Sequence, residues 1–403
     1  MISVSKPPNT VFNWGLIMAK AISSPALIFS HSNHFITFLP HTAVHRGSVS
    51  VFHIPGELLE WDGFPDLMDD LALTWLLGMK IVIVVGCRHQ VDRRLENFPP
   101  SDFEFDRSNI GIPVRPTDPE TLKVVEEEAG YVRYEVERLL HRSLHLHGGG
   151  YEVNDGDAPP APNGNVVSGN SFFSARPIGF MGGIDYQRAG YPSRVNTRKI
   201  LQTIANHDVV LLTPIGVSPS GEILNVDSES LASFVAGSLS ADKIVFCAAK
   251  SAILRDRISK RPVQNFRLRD AKNILEFFNL EVNRDLFVTL TRGEGWEAEG
   301  GNSGQRLSPA AVDILFKIGW AARALEEDGA GLRAHIVAPA DGALLTELFT
   351  SGEGTGTCIS QDWYESIHPD DDPGDLNNAD WIRPQNPVRA LAALIDKTPR
   401  QMN

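Results

Sequence analysis

At 403 residues, with 42% hydrophobic side chains, the chain has ample material for two domains or for one large α/β domain with a buried core. A net charge of −13 argues against nucleic acid and anionic membrane as principal partners. Three cysteines, Cys87, Cys247 and Cys358, stand too far apart for a disulfide framework or a CxxC metal site, and no apolar run is long enough to span a bilayer.

Nothing acidic precedes Glu57, whereas Lys6, Lys20 and Arg46 are basic and serines are common. That composition reads as an organelle transit leader over residues 1–44, or as an unstructured start. The first predicted strand runs from Ser48 to Ile54 and ends at Pro55–Gly56. A helix from about Phe64 to Leu77 follows, with Leu67, Leu71, Leu73 and Leu77 on the core face, Asp69 and Asp70 exposed, and Gly78 as the stop. KIVIVVG (80–86) is a continuous apolar run suited to a strand buried on both faces. Strand, helix and strand in this order form a βαβ unit, which places a ligand-facing turn at Gly86.

Residues 116–146 read as a long charged helix, with Thr117 and Glu120 as a capping box and Pro119 in the first turn. His141, His145 and His147 share part of its surface but lack a carboxylate or cysteine complement, so no metal is assigned. The Gly/Pro/Asn/Asp-rich stretch 148–165 is a loop or insertion. Asp208–Ile215 is a buried strand, Pro219–Gly221 a turn, and Lys243–Cys247 a further strand after a helix of small and apolar residues. Ser308 and Pro309 open a strong helix reaching Leu325. In 332–360, a short strand (Ala334–Val337), a turn at Pro339–Gly342, a helix (Ala343–Phe349) and a glycine-broken loop follow one another. His335 and Glu347 can face that loop. Gly352, Gly354 and Gly356 allow backbone to approach a ligand. The plain alternative is a strand–helix–turn that ends a domain.

DGALLTELFT followed by GxGT closely resembles the end of the amino-acid-kinase-like domain of N-acetylglutamate synthase and its relative acetylglutamate kinase. HRG (45–47), GCRHQVD (86–92), SGN (168–170) with the later IDY…G…R, and Asn225 follow the same family pattern in order. The resemblance implies a three-layer α/β/α sandwich with a mainly parallel sheet over residues 45–362. It implies L-arginine as feedback effector, with contacts from His335, Glu347, Gly352 and Gly354. It also implies a vestigial substrate and nucleotide site at Gly56, Gly86, Ser168, Gly169, Asn170 and Asn225. L-glutamate or N-acetylglutamate and a second copy of the chain are further implied partners, in a plastid or mitochondrion or otherwise in the cytoplasm.

Phosphoryl transfer to a carboxylate needs cations around the triphosphate. In the kinase branch one lysine ends the first strand and another sits in the helix before the final strand. Here His53 stands at the first position, Pro55 replaces a glycine, and no lysine occurs between Lys317 and Lys397. The Thr-Asp pair of the kinase nucleotide loop is also missing after Cys247. The pattern fits the synthase branch, which moves acetyl from acetyl-CoA to glutamate in the first step of arginine biosynthesis. Residues 363–380 read as an acidic linker, and 381–403 as the start of a truncated acetyltransferase domain without the glycine loop that cradles CoA. The expectation is therefore a regulatory, arginine-binding domain without catalytic residues, cofactor or metal of its own. An unusual acetylglutamate kinase using Lys80, Lys243 or Lys317, and a non-enzymatic arginine sensor, are the alternatives.

Overall fold

A computed structural model describes residues 45–95, 114–148, 164–169, 171–181, 183–248, 263, 265–277, 280–282, 288–290, 309–327, 332–338, 343–349 and 355–361. Asn170, Gly352, Gly354, the leader, the acidic linker and the segment after it lie outside these residues.

In chain order the first strands are β1 (Val49–Ile54), β2 (Lys80–Val85), β3 (Val166–Ser168), β4 (Phe173–Pro177), β5 (Phe180–Met181) and β6 (Ile184–Asp185). Next come β7 (Ala189–Val195), β8 (Val209–Leu212), β9 (Ile215–Val217), β10 (Ile223–Val226) and β11 (Lys243–Cys247). The series closes with β12 (Asn265–Arg267), β13 (Leu280–Val282), β14 (Val288–Leu290), β15 (Arg333–Val337) and β16 (Thr357–Ser360). The helices are α1 (Phe64–Leu76), α2 (Arg88–Leu95), α3 (Pro119–Gly148) and α4 (Thr197–Ala205), followed by α5 (Ser228–Leu239), α6 (Leu268–Phe277), α7 (Pro309–Glu327) and α8 (Ala343–Phe349).

Eight strands form the main sheet in the order β12-β16-β15-β11-β1-β2-β8-β3. All neighbours are parallel except β15 and β16. The apolar runs that predicted buried strands lie at its centre, and alternate residues divide between two cores, as a period of two requires. Val51, Val82, Val84, Ile244 and Phe246 join the core built with α4, α5, α6 and α7. Phe52, Ile54, Ile83, Val85 and Val245 join the core built with α1, α2, α3 and α8. The result is the expected three-layer α/β/α sandwich, with a smaller sheet ordered β4-β7-β10-β9 beside it.

Local signals held where they rest on one residue's geometry. Gly78 adopts φ +101° just after α1, a conformation that favours glycine, and Gly221 adopts φ +87° in the β9–β10 turn. Two expectations are corrected. Helix α3 is capped by Asp118, whose carboxylate accepts from Thr121 N at 2.6 Å, while Thr117 Oγ1 turns back to Arg115 O. Asp69 and Asp70 are half-buried rather than exposed, because α3 packs on α1 and Ser143 donates to Asp69 at 2.5 Å. Burial, reinforced by Asp69, pushes the Asp70 carboxyl up to about 7. His141 and His145 stack edge-on on α3, and His147 approaches Asp69 at 3.6 Å.

Candidate functional site

Among the described residues, a polar constellation lies in the interior against each face of the main sheet. The first lies where β1 and β2 end, at the crevice in which open α/β sheets place ligands. Gly56 and Gly86 face each other there. A Cβ at Gly56 would sit 2.7 Å from Gly86 O and 2.2 Å from Gln90 Oε1, and one at Gly86 would sit 2.7 Å from Ser228 Oγ. At Gly56 the obstacle is a backbone carbonyl that cannot turn aside, so only glycine fits, while at Gly86 it is the Ser228 hydroxyl. Gln90 donates to Gly56 O at 2.8 Å, which explains its place in the expected segment.

Charged side chains fill the floor of the crevice. Arg88 Nη2 meets Asp227 Oδ1 at 2.5 Å, and Asp227 also caps α5 by accepting from Ser230 N at 2.8 Å. Lys317, fully buried in α7, contacts Glu229 Oε1 and Asp313 Oδ2, each at 2.8 Å. Burial pushes Glu229 up, but Lys317, His53 and Arg88 outweigh it and hold the carboxyl at about 2. Burial pushes Asp227 up to about 6 against the pull of Arg88. His53 Nε2 contacts Ser228 Oγ at 2.9 Å, and burial, helped by Lys317 and Arg88, pushes its ring down to about 3. The imidazole is therefore neutral at pH 7 and supplies no cation where the kinase pattern needs one.

The remaining residues expected at this site are more scattered. Asn225 lies on β10 two residues before Asp227 and donates to Thr117 Oγ1 at 3.1 Å. Ser168 ends the edge strand β3, separated from β2 by β8, with Gly169 just after it, and Ser168 Oγ meets Glu137 Oε1 at 3.4 Å.

The second constellation is a corner on the opposite face. His335 stands opposite Val245 on β11, and His53 opposite Phe246, so strand alternation points their side chains to different cores. His335 Nδ1 and Glu347 Oε1, from β15 and α8, are 2.8 Å apart and buried. Gly356 N donates to Glu347 Oε2 at 2.8 Å. Burial lowers the pKa of His335, and Glu347 is held below the ordinary carboxylate range because the His335 and Gly356 hydrogen bonds outweigh its burial. A neutral ring beside a carboxylate carries its proton on Nδ1, which leaves Nε2 as a bare acceptor. Nε2 is buried and has no partner among the described residues.

Lys243 and Cys358 complete this corner. Lys243 opens β11 on the same sheet face, is buried, and feels Cys358, Arg333 and Glu347 electrostatically. Desolvation lowers its pKa. Cys358 lies directly across from His335 on β16. Together these groups place acceptors (Glu347 and His335 Nε2) and a buried ammonium (Lys243) in one region of one face. Of the expected contacts, the structure joins His335 and Glu347, and the backbone amide that orients Glu347 belongs to Gly356. Strand parity of β11 and β15 was the signal for Lys243, but it needs the register that only the sheet supplies.

Comparison with known proteins follows the same outline. Residues 49–284 match the amino acid kinase family. The amino-acid acetyltransferase of Pseudomonas syringae pv. tomato is 31% identical over 329 residues, covering 81% of this chain and 64% of the relative. That of Pseudomonas fluorescens is 30% identical over 331 residues, with coverage of 81% and 64%. The crystal structure of N-acetylglutamate synthase from Neisseria gonorrhoeae complexed with coenzyme A and L-arginine is similar with a TM-score of 0.61 and 27% identity, covering 83% of this chain and 66% of that one. The chain thus spans 64% of the length of the acetyltransferases it matches. With its three-layer sandwich and a match extending from β1 into the strands beyond β11, the chain belongs to the amino acid kinase family.

Proposed function

We propose that this chain is the kinase-like, regulatory part of an N-acetylglutamate synthase and that it binds free L-arginine in the corner between β15, α8 and β16. The observation that carries the reading is the pairing of opposite demands there: an oriented carboxylate and a bare imidazole nitrogen near a buried ammonium. Arginine presents donors at its guanidinium and α-amino groups and an acceptor at its carboxylate. Glu347 and His335 Nε2 suit the donors, and Lys243 suits the carboxylate. Each Glu347 oxygen already takes one hydrogen bond, and the remaining lone pairs are open to a cation. Gly352 and Gly354 remain proposed backbone contacts. In the whole protein, acetyl-CoA is a substrate and L-glutamate the acceptor, with N-acetylglutamate as product.

Acetylglutamate kinase activity is the poorer reading. Lys317 is tied to two carboxylates under the crevice, and a neutral His53 stands at the end of β1. Neither presents a mobile cation to transferring phosphoryl oxygens. A coupled ADP-release assay with N-acetylglutamate tests this, and robust turnover would overturn the regulatory reading. Calorimetric titration with L-arginine tests the corner. Glu347→Ala is expected to weaken binding at least about tenfold, the worth of a hydrogen bond to a charged group. Equal binding by both forms would remove Glu347 from the site. Delivery to a plastid or mitochondrion, proposed from the acid-poor leader, is tested by fusing residues 1–44 to a fluorescent reporter.

A further inference from the structure

We propose that the carboxyl end of α3 is fastened to α1 by a proton-operated clasp, closed while Asp70 keeps its proton and loosened when Asp70 ionises beside Asp69. The arrangement begins in α1. Asp69 and Asp70 follow Asp66 by three and four residues, so the three side chains share one side of the helix. On α3, Ser143 donates to Asp69 Oδ1 at 2.5 Å, and His147 Nε2 lies 3.6 Å from the same oxygen. Ser143 is fully buried. Leu140 and Leu144 beside it share a core with Leu67 and Leu71 of α1.

The two adjacent carboxyl groups have unequal support. Burial raises Asp69, but His147 and Ser143 outweigh it and hold the group below the ordinary carboxylate range. Asp70 is half-buried as well, yet no hydrogen bond reaches its carboxyl among the described residues. Burial, with the charges of Asp69 and Asp66, pushes it up to about 7 against the pull of His147. From α3, Arg142 acts on Asp69 in addition. The turn at Gly56–Glu60 and α8 also pack on α1. Their acids are engaged elsewhere or exposed: Glu60 pairs with His89 and Arg93, Glu347 pairs with His335, and Glu57 faces solvent.

The direction of the response follows from which form holds the proton. Asp70 keeps it up to about 7 in the closed clasp, whereas an Asp70 released to solvent returns to 3.8. The closed form is therefore favoured fully below 3.8, and that advantage is lost as pH rises through 7. Between those values opening grows by up to about tenfold per pH unit, and above 7 it levels off. Ionised Asp70 then faces Asp66 and Asp69, with His147 opposing them, and the last turns of α3 lift from α1. Helix α3 has 30 residues, a length of about 45 Å, which confines the movement to one end. The Asp118 cap and the bond between Thr117 and Asn225 lie at the other end.

The test is amide hydrogen exchange of the full chain from pH 5.5 to 8.5, corrected for the intrinsic rate at each pH, with α5 as internal reference. In the natural chain, protection over residues 139–147 is expected to fall at least about tenfold from pH 5.5 to 7.5 and then to level. Asp70→Asn carries no charge at any of these values and should remove most of that fall. Ser143→Ala leaves Asp69 without its hydroxyl donor and should lower protection of the same amides by about tenfold at every pH. Flat protection in the natural chain would overturn the proposal, as would an Asp70→Asn chain that follows the natural profile. An Asp70→Asn chain that gains protection equally over α3 and α5 would do the same, because Asp70 would then act on the whole fold and fasten nothing in particular. Should Asp70→Asn fail to fold, the natural chain and Ser143→Ala decide, and unchanged protection in Ser143→Ala overturns the clasp. Helix α3 carries no residue of the arginine corner, so either reading can fail without the other.

Discussion

His53 and Asp227 sit in one cluster, yet burial moves them in opposite senses. His53 is pushed from 6.5 down to about 3, chiefly by burial and further by Lys317 and Arg88. Below pH 6.5 the unfolded chain takes a proton there that the folded chain refuses. The stability from His53 is present above 6.5 and falls by about 1.4 kcal/mol per pH unit toward 3. Asp227 is pushed from 3.8 up to about 6, chiefly by burial. Its folded form takes the proton first, so its contribution is present below 3.8 and lost as pH rises through 6. Between pH 6 and 4 the two slopes oppose each other. Urea unfolding followed across that window should show Asp227→Asn losing stability more steeply with acid than the natural chain, and His53→Gln less steeply. Parallel profiles in all three would show that these side chains do not titrate as a buried pair.

At the scale of elements, the corner depends on how closely β16 approaches β15. A Cβ at Gly356 would stand 2.5 Å from Ile336 O, a backbone atom that cannot turn aside. Gly356→Ala must therefore displace the start of β16 and pull the amide from Glu347 Oε2. Loss of that buried bond costs about 1–3 kcal/mol. Denaturation should report the loss, and calorimetry should show weaker arginine binding; unchanged affinity would mean that the amide does not orient Glu347. The central strands were legible in the sequence, because KIVIVVG, DVVLL and KIVFC are short, β-branched apolar runs, whereas β16 was read only as part of a glycine-broken loop. The cap of α3 was misread by one residue, since Thr117 and Asp118 are both competent and only the chain's entry angle chooses between them. The ion pair of Lys317 with Glu229 spans 88 residues and leaves no local trace. Likewise, the choice of Gly356 among three spaced glycines depends on the register of β15 with β16.

For the whole molecule, the governing fact is a sheet with two faces, each carrying a buried polar constellation among the described residues. Strand β1 presents His53 to the crevice side, and β15 presents His335 to the other. Between them β1 and β11 are hydrogen-bonded on both edges, which leaves their backbones little room to shift. A ligand that binds only the folded chain stabilises it by about 2.7 kcal/mol at a hundred times its dissociation constant. Arginine should raise the unfolding midpoint through the corner, and N-acetyl-L-glutamate should do so if the vestigial substrate site at Gly56 and Gly86 still takes it. With a rigid sheet between the sites, the two increments are expected to add. Thermodynamic reciprocity sharpens the measurement, because any coupling must appear equally in the affinity of each ligand measured with the other present. Coupling of more than about 1 kcal/mol would show instead that β1 and β11 move together between two arrangements. The sheet would then be the element through which an effector on one face governs the other.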